Sequence, residues 1–149
     1  MAKNEDALKA LTVMLRASQS LQDVMKQDMV KYGLNPTEFA VLELLYAKGE
    51  QKIQNIGKKI LLSSSSMTYV IDKLEQKGHI ERKPCATDRR VIFAHITEKG
   101  KSFMEEAFPH HEKMIAELFS VLSKEEIETL IPLVKKVGLT AAEQSTKNK

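Results

Sequence analysis

Between residues 5 and 31 the chain has no Pro or Gly. Leu8, Leu11, Leu15, Leu21, Met25 and Met29 recur there at mostly helical spacing, which predicts one long helix. Val13, Met14 and Val24 widen its apolar face beyond a single stripe, so the helix calls for more than one neighbour, a second subunit among them. The stretch LNPTEFAVLELLYAKG then opens with a start signal: Asn35 as cap, Pro36 at the first helical position and Glu38 three residues after the cap. Phe39, Leu42 and Tyr46 follow at i, i+3, i+7, and Gly49 ends the helix. In IQNIGKKI the apolar pattern returns at Ile53, Ile56, Gly57 and Ile60. After a short break at Leu61 and Leu62, SSSSMTYVIDKLEQKG places Met67, Val70, Ile71 and Leu74 on one helical face, with Gly78 as the stop. Three short amphipathic helices with tight turns make a compact trihelical unit.

Beyond it, HIERK and VIFAHIT read as strands flanking seven residues, Pro84 to Arg90, rich in turn formers and charge. Three helices followed by a charged hairpin describe a winged helix-turn-helix. Thr97 begins a further helix carrying Phe103, Met104, Met114, Ile115, Leu118 and Phe119, and Pro109 inside it predicts a kink or break near residue 108. The last helix opens on Ser123 as cap with Glu126 as its capping-box partner, and carries Ile127, Leu130, Ile131, Val134 and Val137. Pro132 falls inside that pattern and predicts a bend, and residues 143–149 read as a flexible polar tail. The fold class is mainly α with a small β-hairpin wing, a winged helix-turn-helix plus a helical region.

Composition narrows the classes. The 149 residues are 42% apolar and 29% charged, as in one compact soluble domain with a real core. No apolar run is long enough to span a bilayer and no secretory leader opens the chain, so a cytoplasmic protein is expected. One Cys forms no internal disulfide. The net charge of +3 is unevenly spread. Residues 51–101 hold eleven Lys and Arg against five acids (+6), leaving twelve against fifteen (−3) elsewhere. A basic middle suits a polyanion; a Lys-rich solvated surface is the competing reading.

The third helix of the unit has the form of a groove-reading helix. Its back is Met67, Val70, Ile71 and Leu74; its other face presents Ser64, Ser65, Thr68, Tyr69 and Lys73. Ser63 is the expected N-cap, and the run Ser63 to Ser66 leaves backbone amides open to a phosphate, although a plain capped turn would use the same residues. No Asn, Gln or Arg occupies its first half, so shape and phosphate contacts should outweigh bidentate base readout. In the hairpin, Asp88 and Arg90 are spaced to pair if the strand has begun there, and an Asp that braces an Arg lowers the entropy lost when that Arg enters a narrow minor groove. Arg89 and Lys83 are placed for phosphates. An ordinary surface ion pair is the plain alternative for Asp88 and Arg90.

The segment from Phe39 to Gly100, above all SSSSMTYVIDKLEQKGHIER and DRRVIFAHITEKG, resembles the MarR family of bacterial winged-helix transcription regulators. LNPTEFAVLELLY further resembles the branch of that family that senses quinones and phenolics, the MhqR type. The resemblance implies a single MarR-type domain over 1–149 with a DNA-binding lobe at 36–97. It also implies an obligate homodimer interlocked through residues 5–31 and 98–142 (helices 98–121 and 124–142). Two recognition helices would meet a near-palindromic double-stranded operator in successive major-groove faces about 34–36 Å apart or at a similar spacing. Members usually repress, often in a stress response, and a ligand between the dimerisation helices and the lobe shifts the lobe spacing. Met14, Met25, Phe39, Tyr46 and Phe108 are the candidate lining for a small aromatic ligand, and each reads equally as core.

Three other features compete. Cys85 invites a thiol switch, with Lys83 and Arg89 favouring the thiolate, but peroxide-sensing members use a cysteine in the first helix, which has none here. His110, His111 and Glu112 invite a metal-responsive reading, yet adjacent helical residues point about 100° apart and rarely share an ion, so no metal or other cofactor is expected. No nucleophile–base spacing or phosphate loop suggests an enzyme. The rival class is a winged-helix protein-interaction module without sequence-specific DNA binding.

Overall fold

The computed structural model describes residues 2–60 and 64–147, in the order α1 (Ala2–Val30), α2 (Pro36–Lys48), β1 (Gln51–Lys52), α3 (Ile53–Lys59), α4 (Ser64–Gln76), β2 (Ile80–Pro84), β3 (Ile92–Ile96), α5 (Glu98–Phe119) and α6 (Lys124–Lys147). Two compact units divide it, Met1–Glu106 and Ala107–Lys149, with α5 beginning in the first and ending in the second.

In the first unit the expected cap of α2 forms in full. The Glu38 backbone N–H donates to Asn35 Oδ1 at 2.8 Å, and the Asn35 N–H donates to Glu38 Oε1 at 2.9 Å. The helix then buries Phe39, Val41, Leu42 and Leu45. Tyr46, expected on that face, is exposed instead, because α2 is covered along Val41 and Leu45 rather than along the i+7 line. Ile56 of α3 and Met67, Val70, Ile71 and Leu74 of α4 are buried, as the spacing predicts, and Met29, Ile80, Ala94, Ile96 and Met104 join the core.

The hairpin pairs Ile80 with Ile96 through to Pro84 with Ile92. Pro84 therefore ends a strand rather than opening the loop, and a proline is tolerated there because β2 is an edge strand. A third strand completes the antiparallel sheet in the order β1-β3-β2, with Gln51 opposite Ala94 and Lys52 opposite Phe93. Two residues are too few to show alternation in the sequence.

Thr97 caps α5. Its hydroxyl accepts from the Gly100 N–H at 3.1 Å and donates to the Gly78 carbonyl at 2.6 Å, while its own N–H donates to the His79 carbonyl at 3.0 Å. A side chain at Gly100 would collide with that carbonyl oxygen, so this close approach requires glycine. His79 is buried, its ring 4.9 Å from Phe103, which meets Tyr32 edge-on at 5.2 Å. Its Nδ1 has no hydrogen-bond partner among the described residues. Burial first, and then the positive charges of Lys99 and Lys77, hold the imidazole below its ordinary pKa of 6.5 against the opposing pull of Glu38.

Deeper in the unit, Glu38 Oε2 accepts from Lys77 Nζ at 2.8 Å, the same ammonium donates to the Gly33 carbonyl at 2.7 Å, and Lys99 Nζ donates to the Lys77 carbonyl at 2.8 Å. By contrast the first half of α1 is uncovered within the chain, with Leu8, Leu11, Val13 and Leu15 all exposed.

In the second unit, Ser123 and Glu126 form the expected capping box, at 2.9 and 3.1 Å. Neither proline interrupts its helix: α5 runs unbroken past residue 108 and α6 past Pro132. Glu105 and Glu128, whose carbonyls each lose a donor, are exposed, and water can take that bond. The α6 helix also continues beyond residue 142 to Lys147, in keeping with the strong helix formers Ala141, Ala142, Glu143 and Gln144. None of its residues is buried, and Leu130, Ile131, Leu133, Val134 and Val137 are exposed.

Glu38→Ala removes the Glu38 half of the capping box and the Lys77 pair and should cost about 3 kcal/mol in urea unfolding, whereas Glu38→Gln, which keeps an acceptor for the Asn35 N–H, should cost about 1 kcal/mol. Equal losses would show that the cap contributes nothing. A depressed His79 pKa means that the unfolded chain binds more protons, so stability should fall as pH drops below 6.5. His79→Phe should flatten that limb of the unfolding free energy against pH.

Candidate nucleic-acid interface

The outward face of α4 follows from its buried back. Ser66, Thr68 and Tyr69 lie on the surface, Tyr69 at 61% exposure, and the Lys73 ammonium sits 5.4 Å from the Tyr69 ring centre. An aromatic plane with a cation over it is stiff and amphipathic, suited to a base edge or a sugar–phosphate rim. Ser64 and Ser65 open the helix; Ser63, the expected N-cap, lies outside the described residues.

At the hairpin tip the Val91 N–H donates to the Asp88 carbonyl at 3.1 Å, closing a turn. The Asp88 carboxylate accepts from the Arg90 N–H at 3.0 Å and from Arg90 Nε at 3.3 Å. The expected pair therefore forms, but through an Asx-type turn, since β3 starts only at Ile92. Arg90 remains 91% exposed, so the carboxylate aims the guanidinium without covering it. Arg89 is exposed beside it, and Lys83 lies 3.8 Å from Glu81.

Sequence reasoning passed over Arg82. From β2 its guanidinium spans two carboxylates of α4, with Nη2 on Asp72 Oδ1 and Nη1 on Glu75 Oε1, both at 2.6 Å, and its backbone N–H reaches Glu75 Oε2 at 3.3 Å. Burial works against this charge, but the hydrogen bond to Asp72 and the two anions outweigh it and hold its pKa above the ordinary value. The signal was present as acids at i and i+3 on a helix and an Arg in the next strand, but only the turn between them sets the register.

Cys85 is half-buried, its Sγ 3.3 Å from the Thr87 hydroxyl. That hydrogen bond first, and then the backbone amides of Thr87 and Asp88, lower the thiol below its ordinary 9.0, with Asp88's charge opposing. The cause is hydrogen bonding, not the Lys83 and Arg89 charges that the sequence suggested. His110 is exposed and His111 lies 6.3 Å from the Phe108 ring. Among the described residues no three His, Cys, Asp or Glu side chains are grouped to hold a metal, and no helix is long and apolar enough to cross a membrane. Of the candidate pocket residues in the first unit, Phe39 is core, Met25 half-buried, and Met14 and Tyr46 exposed; Phe108 is half-buried in the second unit.

The MarR family profile matches residues 34–92, from the turn before α2 to the start of β3. The HTH-type transcriptional regulator MhqR of Bacillus subtilis (strain 168) is 56% identical over 137 residues, covering 92% of this chain and 94% of that protein. The HTH-type transcriptional repressor MdtR of the same strain is 30% identical over 130 residues, covering 87% and 84%. AbsC, a MarR family transcriptional regulator from Streptomyces coelicolor, matches the fold with a TM-score of 0.85 at 22% identity, over 91% of this chain and 94% of that one. The chain belongs to the MarR family of winged-helix transcriptional regulators.

Proposed function

We propose that this DNA-binding regulator is a homodimeric repressor of a near-palindromic operator, released by a small phenolic or quinone ligand. The observation that carries the reading is the wing tip, where Asp88 braces an otherwise exposed Arg90; a guanidinium held in this way would suit a narrow minor groove. Ser64, Ser65, Ser66, Thr68, Tyr69 and Lys73 of α4 would enter the major groove, and Lys83 and Arg89 would take phosphates. Support for the dimer comes from the family, whose regulators act as dimers, and from the apolar faces of α1 and α6 that the chain leaves uncovered. The repressor sense follows the name of the relative MdtR. The ligand class rests on the resemblance of LNPTEFAVLELLY to the phenolic-sensing branch, with Met14, Met25 and Tyr46 of the first unit as the remaining candidates for its lining there, since Phe39 is core. Such a ligand acts only through unequal affinity for the bound and released lobe spacings. The protein would work in the cytoplasm, beside the DNA, and by binding rather than catalysis.

The probe is a duplex selected by the wild-type protein from a random-sequence library. Its affinity should fall steeply with salt, and Arg90→Ala should weaken binding by about 10- to 100-fold and lower the salt slope by about one. The melting temperature should stay unchanged, because so exposed an ion pair adds little stability. Parallel losses of affinity and stability would make Arg90 structural, and a flat salt dependence would remove the DNA reading. Cys85→Ser should keep both DNA binding and release by phenols; loss of release in that variant would favour a thiol-responsive repressor instead. Alkylation of Cys85 should show a pH midpoint below 9.0, and Thr87→Val should raise it.

A further inference from the structure

We propose that Arg82 is a positioning residue for operator recognition: without touching DNA, it fixes the angle of the wing against α4 and cancels two carboxylates on the reading helix. The inference rests on the DNA-binding reading above and assigns a role outside both the α4 face and the wing tip.

The first argument is electrostatic. Asp72 and Glu75 project from α4 one turn apart, 50% and 42% exposed, on a helix that must approach a polyanion. Left alone they would repel phosphate along the flank of that helix. Arg82 reaches both at 2.6 Å, and at 26% exposure it lies deeper than either acid. Both of its terminal nitrogens already bond carboxylates of α4, so its guanidinium is directed at the helix rather than outward to a base or a phosphate.

The second argument is mechanical. The guanidinium is planar and rigid, and the Arg82 backbone N–H adds a third bond to Glu75. One strand residue thus fastens β2 to α4 at three points. Arg82 also pairs with Ala94 across the hairpin, so the fastening passes to β3 and to the loop that carries Arg90. From residue 82 to the tip at 88 the arm is at most about 20 Å, so a rock of about 10° moves the tip by about 3 Å. That is a full hydrogen-bond length, enough to take Arg90 out of a narrow groove. A lysine would restore one charge but not the two-pronged geometry.

The test compares wild type, Arg82→Ala, Arg82→Lys and the triple variant Arg82→Ala/Asp72→Asn/Glu75→Gln on the library-selected duplex and on a scrambled duplex of equal length and composition. Thermal melting is followed alongside. Arg82→Ala should lose about 30-fold or more on the selected duplex and only about 3-fold on the scrambled one, so that discrimination collapses. Arg82→Lys should recover part of the selected-duplex affinity. The triple variant, with no carboxylates left to mask, should regain scrambled-duplex binding while discrimination stays lost. Hydroxyl-radical protection at the wing-contacted flanks should weaken in both alanine variants. Equal losses on the two duplexes, both repaired in the triple variant, would reduce Arg82 to charge masking and overturn the positioning role. Losses that track the melting temperature would make it merely structural. Selected-duplex binding within about 3-fold of wild type for Arg82→Ala would overturn it outright. A wild-type protein that selects no sequence would instead take down the DNA reading, and this inference with it.

Discussion

The buried Glu38 carboxylate is the constraint on which the lobe is built. One oxygen closes the cap of α2 and the other receives Lys77, which also holds the carbonyl of Gly33 at the end of the α1–α2 turn. Lys77 in turn offers its own carbonyl to Lys99 of α5. Three segments distant in sequence, residues 33–38, Lys77 and Lys99, are therefore linked through one anion and the lysine it holds. A carboxylate at 4% exposure is tolerable only if its lone pairs are taken, and that requirement forces the C-terminal end of α4 into a single place. Hydrophobic burial of Leu42, Leu45, Ile71 and Leu74 supplies more stabilisation, but it is indifferent to small rotations. The hydrogen-bonded anion is not.

This division suits a helix that must be read from outside. The α4 helix is pinned at its end by Lys77, on its flank by Arg82 and on its back by apolar contacts, which leaves Ser66, Thr68 and Tyr69 facing outward. The wing is held at its base by the strand register and by the Thr97 cap, which ties the end of β3 to the turn at Gly78 and to the start of α5. Motion of the first turn of α5 therefore reaches the wing base through hydrogen bonds at 2.6 to 3.1 Å, with Gly100 allowing the close approach.

Local features were legible in the sequence and distant ones were not. Asn35 with Glu38 and Ser123 with Glu126 act within one turn of chain, so their capping boxes could be read directly. The back of α4 could be read because helical period and burial coincide there. By contrast, Lys77 and Glu38 lie 39 residues apart, and nothing local marks them as partners. The strand β1 is too short to carry a pattern, and Tyr46 was misplaced because i+7 spacing cannot say which side of a widely apolar helix is covered. The two prolines predicted interruptions that solvent-exposed carbonyls make unnecessary. In the candidate site, Asp88 with Arg90 was visible because a turn holds them together, whereas Arg82 needed the fold to bring β2 against α4.

The basic excess of residues 51–101 is accordingly a poor guide to where DNA would be held. Lys77 is spent inward on Glu38, and Arg82 on two acids of the same segment. Arg90 is also paired with an Asp, so ion pairing alone does not separate the roles of these arginines. Exposure does. At 26% exposure with both terminal nitrogens bonded to carboxylates, Arg82 is turned inward, and its charge is set against those of Asp72 and Glu75. At 91% exposure and held through Nε, Arg90 keeps its outer nitrogens for a ligand, and the weak stabilisation expected of so exposed a pair means that Asp88 acts by aiming rather than by holding. In the proposed reading the same Asp–Arg chemistry would fix the wing at one end and arm it at the other, the difference being how far each guanidinium stands from water.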